Sequence, residues 1–157
     1  MLGKLPVNTI LLQKVFRFAL TALIAFVMFS HGTQKLFGWF GGMGIAKTAE
    51  AFASLGLAPA QPLVITAGVF ELFFAIGILI PKTRILAGLG IVCFMTFAGI
   101  QSYGGSWFQF GGYGWEFALL FILSTFVIMT LQLEKRTYQQ YSPISILGKG
   151  TVNNTQK

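Results

Sequence analysis

The chain has 157 residues, of which 55% are hydrophobic and only 10% charged, with a mean hydropathy of +0.74. Soluble domains carry about 25% charged residues, so a water-soluble globule is excluded: too little polar surface exists to cover it. The net charge of +7 does not imply nucleic acid, because the basic residues stand singly or in pairs at the ends of apolar runs and form no basic face.

About 20 apolar residues span the hydrocarbon core as a helix, and four segments meet that length. The first is predicted over 15–37, and no small-residue cleavage site follows its Phe29-Ser30-His31-Gly32 exit, which argues against a signal peptide. Its outer end carries His31, Gln34 and Lys35, with His31 and Lys35 on one face at i, i+4. A glycine-rich turn then leads to a short amphipathic stretch with Ile45, Ala49, Phe52 and Leu55 on one face and Lys47, Glu50 and Ser54 on the other. Gly56 and Pro59 end it, and it reads as a helix lying in the outer interface.

The second span is predicted over 62–80, opened by Pro62 and followed by Pro81, with Glu71 as its single charge. Glu71 is the tenth residue of that span and so lies near the bilayer midplane. A charge there costs roughly 2.5–3.5 kcal/mol even on the insertion scale, so a partner, a neutral carboxyl or a water pocket must offset it. Ala67, Gly68 and Ala75 lie one turn away on the same face, a small-residue stripe that belongs against other helices. The third span, 85–103, has no charge and ends with Gln101 and Tyr103. The fourth, 113–133, carries Trp115 and Glu116 in its first turn, and a polar tail over 134–157 follows.

Lys4, Lys14, Arg17, Lys82, Arg84, Lys135 and Arg136 fall on one side of these spans, against Lys35 and Lys47 on the other. The positive-inside rule therefore predicts both termini in the cytoplasm and a multi-pass protein of the inner membrane. The expected architecture is all-α: one four-helix integral membrane bundle over 1–133, with an amphipathic interfacial helix between helices one and two, and a cytoplasmic tail. Cys93 is the single cysteine and the chain has one histidine, so neither a cysteine cluster nor bis-histidine haem can form, and no metal site is expected.

This topology brings His31, Gln34, Lys35, Gln101, Tyr103, Trp115 and Glu116 to similar depth, with Glu71 deeper. Lys35 and His31 are the expected partners of Glu116, and of Glu71 through water. The chemical reading is a polar ligand pocket with Glu71 as a proton relay; the plain one is a set of charges that fixes helix register. Arg84 reads as a snorkelling structural anchor.

Five segments stand in order along the predicted helices: His31-Gly32-Thr33-Gln34-Lys35-Leu36-Phe37, Phe52 to Pro59, Glu71 followed by Ala75 to Leu79, Thr83-Arg84, and Gly112 to Leu120. In these the chain resembles the DoxX family of small four-helix membrane proteins. The likeness implies kinship with subunits of a thiosulfate:quinone oxidoreductase and other redox-associated membrane proteins. It also implies a polar signature on His31, Lys35, Glu71, Arg84 and Glu116. Where many members carry a histidine near the end of helix three, this chain has Gln101 and Tyr103. The leading expectation is a quinone-interacting subunit of a membrane redox complex, with a quinone as ligand and a redox subunit or further copies of the chain as partners in the bilayer. The alternatives are a non-enzymatic assembly, anchoring or chaperone-like subunit, and a small transporter component.

Overall fold

The computed structural model describes residues 7–102 and 115–140. Five α-helices and one 3-10 turn follow each other: α1 (Val7–Phe37), the turn Trp39–Gly41, α2 (Gly44–Ser54), α3 (Ala60–Leu79), α4 (Arg84–Ser102) and α5 (Trp115–Gln140). Four of them, α1, α3, α4 and α5, are long and apolar enough to cross a membrane. Phe18 is 74% exposed and Leu86 72%. A surface of that kind needs lipid around it, and the molecule is a four-helix membrane bundle.

Two boundaries differ from the sequence expectation. α1 begins at Val7 rather than near 15, because Asn8, Thr9, Gln13 and Lys14 continue the helix beyond its apolar part. α5 likewise runs on to Gln140 through Glu134 and Lys135, so the segment expected as tail starts inside a helix. Hydropathy locates where a helix leaves the lipid, and backbone hydrogen bonding carries it further. The 104–112 loop and the tail from 141 lie outside the described residues.

The spans form a ring in which α1 packs most extensively on α3, α3 on α4, α4 on α5, and α5 more sparingly on α1. Ile24 and Met28 from α1, Ile78 from α3, Ile91 from α4 and Ile128 from α5 fill its centre. Lipid is as apolar as this core, so association rests on close packing rather than on escape from water. Small residues supply the approach. A Cβ on Gly32 would meet the Gly68 carbonyl oxygen at 2.9 Å, and one on Gly77 would meet the Ala87 methyl at 2.9 Å. Thr21, Thr33, Thr96 and Thr125 return their hydroxyls to carbonyls of their own helix, so no polar atom of theirs is stranded in the core.

Between α1 and α2 the chain doubles back. Gly38, Phe40 and Gly41 all take left-handed φ angles (70°, 52° and 75°), and the turn presses Gly42 against the Gln34 backbone, where a Cβ would come within 2.5 Å. α2 then lies against α3 and α1. Ile45, Ala49 and Phe52 are half-buried while Lys47, Glu50 and Ser54 are exposed, as their sequence pattern predicts; Leu55, expected on the apolar face, caps the helix and is 45% exposed.

Candidate functional site

α1 remains helical through Phe37, which keeps His31 and Lys35 on one face at its last turns. The close approach of Gly32 to Gly68 sets that face against the middle of α3. Glu71 is 3% exposed there, aimed into the bundle with Gly68 and Ala75. The Lys35 ammonium donates to both its carboxylate oxygens, at 2.7 Å to Oε1 and 2.9 Å to Oε2. A carboxylate in hydrocarbon is thus met by the one group whose charge cancels it.

Beside this pair is a cavity of about 360 Å³, within the range of about 300–1,000 Å³ usual for small-molecule sites. Ala67 and Phe70 of α3, Phe94 and Ala98 of α4 and Phe117 of α5 make its apolar walls, and Phe52 and Leu55 close it from the α2 side. The polar groups are few and convergent: His31, Lys35, Glu71, Thr66 and Gln101. The Phe117 ring stands edge-on to the His31 imidazole, with centroids 6.2 Å apart and planes at 66°. Phe70 stacks on Phe74 at 5.8 Å. Aromatic faces therefore line the space into which the polar groups reach.

Of the residues singled out from sequence, His31, Lys35, Glu71 and Gln101 meet around this cavity. Gln34 does not: its Nε2 donates to the Phe40 carbonyl at 3.4 Å and holds the turn after α1. Glu116 is half-buried in the first turn of α5 and stands outside the cavity wall, which takes its neighbour Phe117 instead. Lys35, expected to meet Glu116 first and Glu71 through water, binds Glu71 directly. The reason is helix contact: α1 lies far more closely on α3 than on α5. Tyr103 and the Trp115 side chain fall outside the described residues.

Thr66 and the aromatic walls carry no signal in sequence. Phenylalanine occurs 17 times in the chain, and nothing in its spacing marks the few that face a cavity. Phe52 and Leu55 are legible as an apolar face, but their covering of a cavity, rather than of lipid, depends on where the turn places α2.

At the other end of the bundle Arg84 opens α4. Its Nε donates to the Ile78 carbonyl at 2.8 Å, Nη2 to the Leu79 carbonyl at 2.9 Å and Nη1 to Gln132 Oε1 at 3.0 Å. The last carbonyls of α3, which have no partner within their own helix, are satisfied by this guanidinium. Gln132 is 6% exposed and donates to the Pro81 carbonyl at 3.3 Å, which ties α5 into the same joint. Thr83 adds a bond from Oγ1 to the Gly77 carbonyl at 2.8 Å. The arginine is a three-helix joint, a role its position at a helix start does not reveal.

No protein of curated function and no solved structure matches the chain at a significant level. The family model for DoxX matches residues 16–104. That stretch holds α2, α3 and α4 whole, most of α1, and His31, Lys35, Glu71, Arg84 and Gln101 among its residues. With more than half its length matched, and with the joint and the cavity both built largely from the matched stretch, the chain belongs to the DoxX family.

Proposed function

We propose that the cavity beside Lys35 and Glu71 binds the head group of a lipid-soluble quinone, and that the protein serves a membrane redox complex as its quinone-interacting subunit. The observation that carries this reading is the juxtaposition of one buried ion pair with an aromatic, ligand-sized cavity inside the membrane part of the bundle. A quinone ring is flat and apolar and suits walls of phenylalanine, while its carbonyls need donors. The ammonium has three protons and Glu71 accepts two of its hydrogen bonds, which leaves one for a carbonyl; the His31 ring and the Gln101 amide are further donors. Reduction to the quinol takes two electrons and two protons. The electrons come from a redox partner protein in this reading, and Glu71 relays protons.

The excess of Lys14, Arg17, Lys82, Arg84 and Lys135 at one end, against Lys35 and Lys47 at the other, supports an inner-membrane protein with its basic end in the cytoplasm. The test is binding of a short-chain ubiquinone analogue to the detergent-purified protein, read as a thermal shift, with an alkylbenzene of equal chain length as control. The quinone raises the melting temperature of the wild type and not of Lys35→Met. Equal shifts with quinone and alkylbenzene would remove the reading.

A second reading, an anchoring or assembly subunit whose charges only brace helices, draws on the fact that Lys35 and Glu71 satisfy each other within the bundle. It requires that Lys35→Met/Glu71→Leu keep full partner association.

A further inference from the structure

A groove of about 1220 Å³ opens between α1 and α5 at the end of the bundle opposite the cavity. It lies where the ring is thinnest, since α1 and α5 make the sparsest contact of the neighbouring spans. Its composition changes along its length. Toward the helix ends it is lined by Lys14, Arg17 and Lys135, with Glu134 as the single acid. Toward the middle of the spans it is lined by Leu20, Leu23, Val127 and Leu131. From Arg17 to Leu23 the axial rise is about 9 Å at 1.5 Å per residue, so cations sit at head-group depth and apolar walls at acyl-chain depth. Phe16 and Leu23 are 66% and 58% exposed, which leaves the groove open sideways to lipid.

Among the described residues no carboxylate is within ion-pair distance of Lys14, Arg17 or Lys135, so the three cations give the groove an excess of positive charge that an anion would balance.

We propose that this groove is a binding site for an anionic phospholipid, with its phosphate held by Arg17, Lys14 and Lys135 and one acyl chain along Leu20, Leu23 and Val127. A free phosphate would satisfy the cations and leave the apolar wall unused; a zwitterionic lipid would use the wall and bring a cation of its own to three others. Clusters of basic residues in clefts between spans are suited to anionic head groups for this reason.

The test is native mass spectrometry of the full chain in neutral detergent, titrated with phosphatidylglycerol or with phosphatidylcholine of the same acyl chains. Phosphatidylglycerol is expected to be retained more strongly. At about fivefold per cation, Lys14→Gln/Arg17→Gln/Lys135→Gln weakens its retention roughly a hundredfold and leaves phosphatidylcholine unchanged. Glu134→Gln, an exposed substitution that keeps the fold intact, strengthens phosphatidylglycerol several-fold. Lys47→Gln, at the other end of the bundle, changes nothing. Equal retention of the two lipids by the wild type overturns the site, as does an equal loss in Lys47→Gln, which would mark a net-charge effect. Displacement of the lipid by millimolar inorganic phosphate would assign the groove to a free anion and overturn it as well.

Discussion

Gly32 and Gly68 set the distance between α1 and α3: a Cβ on Gly32 would lie 2.9 Å from the Gly68 carbonyl oxygen and 3.0 Å from the Leu72 side chain. Backbone cannot yield as a side chain can, so Gly32→Ala must push the helices apart. That displacement also draws Lys35 away from Glu71. We expect a loss of about 1–3 kcal/mol, the range for an overpacked core, read by unfolding in mixed micelles. Gly88→Ala is the control, because the group it meets is the flexible Met129 side chain, and its loss is smaller. Equal losses at the two sites would mean that the contact with α3 backbone is not what limits the approach.

The ion pair is asymmetric, with side chains of Lys35 and Glu71 exposed by 20% and 4%. Removal of Lys35 strands a carboxylate that cannot reach water. Removal of the Glu71 charge leaves an ammonium on a flexible stem, partly exposed already and able to turn toward the interface. Lys35→Met therefore destabilises by about 3–5 kcal/mol, as for other broken buried pairs, and Glu71→Gln by clearly less. The apolar double variant Lys35→Met/Glu71→Leu regains most of the loss, because no unpaired charge remains. A double variant as unstable as Lys35→Met alone would show that the carboxylate is not the source of the cost.

Much of this site was legible in the amino-acid order, and the part that was not has a definite cause. Glu71 could be placed at mid-span and turned inward by counting residues and noting Ala67, Gly68 and Ala75 on its face. His31 and Lys35 followed from helical spacing. The partner of Lys35 did not follow, since several helix ends share its depth and it is the close packing of α1 on α3, the Gly32–Gly68 contact included, that selects α3 over α5. Arg84 shows the same limit. Its place at the start of a span marks it as an anchor, but its bonds to Ile78, Leu79 and Gln132 depend on how tightly the 80–83 turn folds and on the rotation of α5. Local periodicity fixes which way a side chain faces, and long-range packing decides what it meets.

Arg84 offers the sharpest separation of charge from geometry. Its three donors reach two carbonyls and one amide oxygen in a planar fork that a lysine cannot copy. Hydrogen bonds from charged groups are worth about 1.5–3 kcal/mol each, not fully additive in one network. Arg84→Lys is thus expected to lose stability nearly as Arg84→Ala does, although it keeps the charge. A full rescue by lysine would reduce the residue to a topology signal.

Ala98 lines the cavity from α4, and a larger side chain there would occupy empty space instead of a packed core. Overpacking is costly where neighbours must move, and at this position they need not, so Ala98→Phe should keep the thermal stability of the wild type. The quinone reading then makes a demand that the bracing reading does not. Binding of the short-chain ubiquinone analogue must fall by about tenfold or more, which corresponds to about 1.4 kcal/mol, while the Lys35–Glu71 pair stays intact as judged by an unchanged loss on Lys35→Met. Unaltered quinone affinity in a stable Ala98→Phe protein would place any bound quinone elsewhere on the bundle.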